Sequence, residues 1–399
     1  MPIGTPVHER TFPLCESLNY REWSGYYAVS AYESHHEHEY NAIRNASALI
    51  DVSPLFKYLV TGADAARLVD RLITRDVSKM SVGQVYYTPW CDEHGKVIDD
   101  GTVSRLGEQA FRWTAADPNL RWFRQNAAGL DVSIEDMSEE VAALALQGPT
   151  SAKVLRAAST ADIDTLKYFR VTPGTIAGVP VDISRTGYTG DLGYEVWMSS
   201  SDAVHVWDAL IDKGRPFDIK PTGMLALDVA RVEAGLLLIE VDFFSSKKAM
   251  IEQQKYTPFE MGLGRLVSPT KSRFIGQQAL REEQRQGHAR QVAGLELDWT
   301  GIEKIYERLG LPPTVGASAS RVAVPVYRGG RQVGRATTTT WSPVLKKMIA
   351  LATIDRPHYE VGTTVHVEVT VEAVRHKVDA KVVATPFFNP PRKMATPPL

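Results

Sequence analysis

The 399-residue chain reads as an α+β protein of two or three domains that ends in an all-β module. Three observations carry this. Helical and strand periodicities alternate over most of the chain, and the strands are joined by hairpin-like turns, not by the long crossovers of a parallel sheet. After about residue 285 the helical signal thins. There "VHVEVTVEA" (Val365–Ala373) alternates strictly, with Val365, Val367, Val369 and Val371 on one face.

The elements follow in order. "FKYLVTG" (Phe56–Gly62) predicts a strand with Phe56, Tyr58 and Val60 on one face, running into a helix striped by Leu68, Val69, Leu72 and Ile73. A buried strand starts at Val141, turns at Gln147-Gly148-Pro149, and passes into a helix with Thr150 at the N-cap. "VDIS" (Val181–Ser184) and "YEVWM" (Tyr194–Met198) predict a hairpin around a glycine-rich turn. In that register Tyr194, Val196 and Met198 share one face, and Glu195 and Trp197 the other. Asp202–Gly214 is an amphipathic helix ended by Gly214. "VPVYRGGRQVG" (Val324–Gly334) is a hairpin around Gly329-Gly330, and the tract Gly301–Ser320 reads as an insertion or loop.

Composition narrows the function classes. The chain is 44% hydrophobic and 23% charged with a formal net charge of −2, so no basic excess points to nucleic acid or an anionic membrane. Two cysteines, Cys15 and Cys91, are too few for a disulfide framework or a cysteine-rich metal site. The N-terminal segment carries charges and lacks an apolar signal region, and no apolar run reaches membrane-spanning length, so the expected location is cytoplasmic.

Several groups can carry chemistry. Asp99 and Asp100 follow Val97-Ile98 in a strand-like setting, where successive side chains point to opposite faces. If the strand is central, one acid faces inward or into a cleft; if the segment is an exposed turn, both are solvated. "ESHHEHEY" (Glu33–Tyr40) holds His35, His36 and His38 with three glutamates, a conceivable metal site without His-Glu-x-x-His spacing; a solvated helix face is preferred and no metal is expected. Asp228, Arg231 and Glu233 punctuate an apolar helix, either as surface ion pairs or as part of a site. Ser184 and Ser342 lack triad spacing, and "WTAADPN" (Trp113–Asn119) is a loop that offers backbone donors.

Taken in order, "RNASALIDVS", "LITRDVSKMSVGQVYYTPWCDEHGKVIDD", "LALQGPTSAKVL", "SRTGYTGDLGYEVW", "ARVEAGLLL", "TPFEMGLGRLV", "FIGQQAL" and "WSPVLKKMIALA" resemble the aminomethyltransferase family, which comprises the T-protein of the glycine cleavage system and its folate-dependent demethylase relatives. The resemblance runs from about residue 40 to the C-terminus. It implies a three-domain, cloverleaf-like T-protein fold with mixed and antiparallel sheets around a tetrahydrofolate channel. The implied division is 1–60 plus 140–245, 61–139 plus 246–287, and 288–399. By motif, Asp100 is the implied catalytic acid beside the folate nitrogens that receive the carbon, and Glu195 the acid that contacts the pterin. Tyr188 and Tyr87 line the implied folate pocket, and Asp228, Arg231 and Trp113 complete the expected cofactor set.

One departure bears on the donor. Where T-proteins place an arginine before the ligand-contacting aspartate, this chain has Leu227, and "WSGYYAVSAY" (Trp23–Tyr32) is also altered. The expectation is therefore a tetrahydrofolate-dependent transferase or demethylase acting on a small O-, N- or S-methylated donor. The alternative is a T-protein proper, with a lipoylated carrier as partner. A folate-binding accessory protein would carry a "KGCYxGQ"-type motif; "SRFIGQQAL" (Ser272–Leu280) lacks its cysteine.

Overall fold

In the computed structural model, which describes residues 1–397, three sheet systems meet around one cavity. The first sheet has six strands in the order Val171–Ile176, Val179–Ser184, Gly193–Ser199, Val141–Gln147, Ser47–Asp51 and Ile219–Pro221. All neighbours are antiparallel except the last pair. Its central strand "VAALALQ" shows how the sequence assigns faces. Leu144 and Leu146 enter a core with Val154, Leu155, Val206 and Trp207 of the helices Ser151–Ala158 and Ala203–Gly214. The intervening Ala143 and Ala145 pack towards the helices Glu37–Asn45 and Met224–Glu233 on the other side. Small residues on that face leave room for the cavity, whose wall includes Ala145 and Gln147. A small sheet of Ile3–Gly4, Tyr26–Ala31 and Asn19–Trp23 flanks it.

The second sheet is antiparallel, in the order Val85–Cys91, Val97–Gly107, Ala110–Ala115, Phe56–Thr61 and Ser133–Asp136. The expected boundary at residue 60 cuts through Phe56–Thr61. That strand pairs along its whole length in the second sheet, so the unit begins by Phe56. Segment 246–287 docks on this unit through Lys271, whose Nζ donates to Ile73 O at 2.9 Å and Arg75 O at 2.7 Å.

The third unit is a closed six-stranded barrel formed by Arg290–Leu297, Lys347–Asp355, Arg331–Ser342, Val324–Arg328, Thr364–Val371 and Val374–Val383. Val365, Val367 and Val371 all face its core. The tract Gly301–Ser320, expected as an insertion or loop, is in part helical. Its first part is the helix Trp299–Arg308, started by Asp298, whose carboxylate accepts from Thr300 N at 3.2 Å. Ile302 and Ile305, one turn apart, seal the barrel core.

Three local details refine the expected elements. Thr150 stands at the N-cap, but its hydroxyl pairs with Ser47 Oγ and Phe217 O and makes no cap bond. The helix at Glu37–Asn45 begins after His35, so His35 and His38 do not share a helical face. No group of three potential metal ligands exists among the described residues. The helix Ala203–Gly214 ends at Gly214, as expected, and the chain then reverses at Asp218, in the left-handed region at φ 56°. Among the described residues no helix is long and apolar enough to cross a membrane.

Candidate active site

The cavity, of about 1200 Å³, lies where the first sheet, the second sheet and the barrel converge. The acid pair is divided by strand alternation. Asp99 is fully buried and accepts from Asp100 N at 2.8 Å, Asp117 N at 3.1 Å and Asn119 Nδ2 at 2.9 Å. The backbone donor expected from the "WTAADPN" loop is therefore used on Asp99, which anchors that loop. Asp100 points the other way, half-buried, with its open edge on the cavity; Tyr87 Oη donates to its Oδ2 at 2.6 Å. Burial pushes the Asp100 carboxyl up to about 6, against the Tyr87 hydrogen bond, which lowers it. Asp99 is also raised, first by burial and then by the neighbouring Asp100 charge. Gly101 follows because the strand there passes Thr114 O so closely that a Cβ would stand 2.0 Å from it.

The segment between Val179–Ser184 and Gly193–Ser199 is a loop of the cavity wall and not a tight turn. It is built around the buried amide of Gln147. Gln147 Nε2 donates to Thr186 O at 3.2 Å and Tyr194 O at 3.1 Å, and its Oε1 accepts from Thr189 Oγ1 at 2.8 Å. A Cβ on Gly187 or Gly193 would lie 2.1 or 2.2 Å from that amide. The glycines of "RTGYTGDLGYE" thus let the loop close on Gln147. Glu195 projects from the strand beyond into the cavity and accepts from Thr186 Oγ1 at 2.6 Å. Burial raises its carboxyl, while Thr186 and the Arg112 charge lower it. Tyr188 lines the same wall and donates its hydroxyl to Leu237 O.

Two expected cofactor contacts stand elsewhere. Trp113 alternates with Arg112 and Thr114, so its side chain takes the core face of the second sheet. There it meets Trp90 edge-on at 5.1 Å and Phe123 at 4.3 Å. Arg231 is fully buried behind the wall, paired with Asp242 and donating to Thr338 Oγ1 at 3.0 Å, which joins its helix to the barrel. Asp228 does line the cavity, but its oxygens accept from Arg321 Nη2 at 2.6 and 2.8 Å and from Arg21 Nη1 at 3.3 Å.

Matches to known families follow the same residues. Residues 16–271 match the GCVT N-terminal domain model and residues 308–389 the glycine cleavage T-protein C-terminal barrel domain model. The chain belongs to the glycine cleavage T-protein family. It is 36% identical over 357 residues to an aminomethyltransferase of Bacillus subtilis (strain 168), covering 88% of this chain and 90% of that one. It is 34% identical over 405 residues to a trimethylamine-oxide aldolase of Ruegeria pomeroyi, covering 98% of this chain and 47% of that protein. In fold it resembles the glycine cleavage system aminomethyltransferase T of Bartonella henselae, with a TM-score of 0.82 over 98% of this chain and 99% of that one at 22% identity. The family is one of tetrahydrofolate-dependent one-carbon transferases, so this T-protein relative is an enzyme of that class.

The motifs alone did not single out Arg21, Arg321, Arg265, Lys393 or Tyr168, all on the cavity of this family member. Arg265 lies inside the quoted "TPFEMGLGRLV" motif, which was a usable signal. Lys393 reaches the cavity only because the C-terminal segment folds back, held by Arg392 on Asp191 at 2.6 and 2.8 Å.

Proposed function

We propose that this chain binds tetrahydrofolate in the central cavity and transfers to it a one-carbon unit from a small O-, N- or S-methylated donor. The observation that carries the proposal is Asp100, a half-buried carboxylate on the cavity wall, hydrogen-bonded by Tyr87 and facing the same space as Glu195 and Tyr188.

The residues present fit the cofactor. Single-ligand pockets typically hold about 300–1,000 Å³, so a cavity of about 1200 Å³ has room for a folate and a second small molecule. Glu195, already held by Thr186, is placed to accept the paired N–H groups of the pterin edge in a charge-assisted fork. Tyr188 and Tyr87 offer flat apolar faces beside it. Tetrahydrofolate, when bound, supplies the nitrogen nucleophiles that accept the carbon. Asp100 holds or moves a proton at the reacting centre and, when ionised, stabilises positive charge there. Tyr87 fixes the carboxylate's orientation, and Asp99 holds the strand and the 117–119 loop that enclose it. The exposed arginine Arg265 and Lys393 give the opening a cationic rim suited to the carboxylates of the cofactor's glutamyl end.

Aminomethyl transfer from a lipoylated carrier is the second reading, favoured by the 36% identity to an aminomethyltransferase. The two are separated by incubating the protein with tetrahydrofolate and either a panel of methylated donors or a lipoylated carrier. Mass spectrometry then reads 5-methyl- against 5,10-methylene-tetrahydrofolate. Turnover with the carrier alone would replace the first reading with the second. Both readings share Asp100, so Asp100→Asn is expected to reduce transfer strongly with folate affinity nearly unchanged; full activity in that variant would sink both. Two free, buried cysteines, Cys15 and Cys91, are compatible with a reducing cytoplasmic setting.

A further inference from the structure

At one side of the cavity a buried carboxylate is surrounded by more positive charge than it can neutralise. Met224, Leu227 and Asp228 occupy positions i, i+3 and i+4 of the helix Met224–Glu233, and all three face the cavity. Asp228 is 6% exposed. Arg321, from the irregular segment that follows the helix Trp299–Arg308, reaches it from the barrel side and places one nitrogen, Nη2, on both carboxylate oxygens. Arg21, from the strand Asn19–Trp23, reaches it from the small sheet. Its Nε donates to Ser30 Oγ at 3.3 Å, which fixes the guanidinium in place.

Charge and donor counts both leave a surplus. Arg231, one turn along the helix, pairs with Asp242 and also stands 3.9 Å from Asp228, so Arg21, Arg321 and Arg231 share two carboxylates and one positive charge remains. Among the described residues, Arg321 Nε and Nη1 and Arg21 Nη2 make no hydrogen bond to the protein, and Arg321, 38% exposed, presents its free donors at the mouth of the cavity. Two guanidiniums held close together against their mutual repulsion, with donors left over, form a receptor for a planar anion. Glu22, the nearest acid in sequence, also borders the cavity, but its Oε1 accepts from Gly25 N at 2.6 Å and makes no ion pair with either arginine. The surroundings are apolar: Trp23 shares the strand face of Arg21, and Leu227 replaces the cation that the T-protein pattern has beside the aspartate. Trp23 and Tyr188 each pack against the same core cluster and each line the cavity, which gives aromatic faces for a methylated nitrogen or sulfur.

We propose that Arg21 and Arg321, positioned by Asp228, bind a carboxylate of the one-carbon donor, so that the substrate class is a small methylated carboxylic acid, with its methylated atom against Trp23 and Tyr188. The proposal rests on the one-carbon-donor reading above and deepens it. It also assigns a role to the tract 309–321, which has no counterpart in the motifs: it delivers Arg321.

The test is binding of three carboxylates, N,N-dimethylglycine, (dimethylsulfonio)acetate and methoxyacetate, each against its own amide, by titration calorimetry on the full chain. At least one acid is expected to bind ten-fold or more tightly than its amide. Arg321→Ala and Arg21→Ala should each remove that preference, and Arg321→Lys should restore part of it. Tetrahydrofolate affinity, measured on the same samples, should stay within about two-fold, which also reports that the variants are folded. Equal binding of acid and amide across all three pairs, absent binding of every acid, or a preference that survives both alanine variants overturns the proposal. Loss of tetrahydrofolate binding by the wild-type chain is a different outcome, and it would count against the cofactor reading instead.

Discussion

Asp100 shows how one residue's environment sets its behaviour. Its carboxyl is raised to about 6 because desolvation outweighs the single Tyr87 hydrogen bond. A folded-state value above the unfolded one, about 3.9, means the native state holds the proton more tightly. Stability therefore falls as pH rises between those two values and is level above them. Asp100→Asn removes the charge and keeps an oxygen for Tyr87. It should stabilise the fold by roughly 1–2 kcal/mol at pH 8, after allowance for the open edge of the side chain, and by nothing near pH 4. Paired urea titrations at the two pH values check this, and an equal effect at both would contradict the assignment. If the ionised form serves in transfer, the wild-type rate should rise with a midpoint near pH 6. Glu195→Gln should weaken tetrahydrofolate binding by an amount on the order of 1.5–3 kcal/mol, the worth of a charged hydrogen bond. Unchanged affinity by calorimetry would remove Glu195 from the pterin site.

The loop between Ser184 and Gly193 makes its case at the scale of an element. Its composition resembles a plain hairpin turn, and alternation alone places Glu195 and Trp197 on one face of the following strand. What makes the loop a cavity wall is Gln147, on the neighbouring strand, whose amide fills the space a side chain at 187 or 193 would need. Gly193→Ala should therefore destabilise the protein by about 1–3 kcal/mol, the range for overpacking a closed site. It should also lower folate affinity, because Thr186, the partner of Glu195, hangs on the same amide. Gly190→Ala meets a different obstacle, Ala234 Cβ at 2.4 Å, at a φ of +70°. Thermal melts of both variants with and without tetrahydrofolate separate the packing cost from the loss of binding.

Across the whole molecule, the first unit, the barrel and the C-terminal segment are tied together beside the cavity by buried charge. Glu233 is fully buried and accepts from Tyr40 Oη at 2.6 Å, from Arg44 Nε and Nη2 at 2.9 and 2.6 Å, and from Ser342 Oγ of the barrel at 2.6 Å. Arg44 continues to Asp191 at 3.2 Å, and Asp191 to Arg392 of the C-terminal segment. The network has two positive and two negative members. Glu233→Ala would leave Arg44 with too little compensation in a dry site, at a cost of about 3–5 kcal/mol. Because the barrel and the C-terminal segment hang on it, the variant should lose folate binding together with stability. Denaturant unfolding that shifts by less than about 1 kcal/mol would show that the network is not what holds the units in place.

Much of this was readable along the chain, for a physical reason: side-chain alternation and helical period depend only on neighbours. They marked a buried strand from Val141 and one face shared by Val365, Val367, Val369 and Val371, and they required Asp99 and Asp100 to diverge; the structure turns Leu144 and Leu146 into a core and Val365, Val367 and Val371 into the barrel. The same local rules were silent where partners come from far away. Trp113, expected at the cofactor and in a loop Trp113–Asn119, instead belongs to the strand Ala110–Ala115, whose alternation turns it into the core. Arg231 is expected there through the family motif, and the acid that draws it into the interior, Asp242, lies outside the helix. Arg321 meets Asp228 across 93 positions of chain, and Arg392 meets Asp191 across 201. By itself the sequence determined the elements, the family, and the acids Asp100 and Glu195 that face the cavity. Only the tertiary structure decided which charges remain unneutralised there, because desolvation and pairing are properties of the packed interior, and no spacing along a chain encodes them.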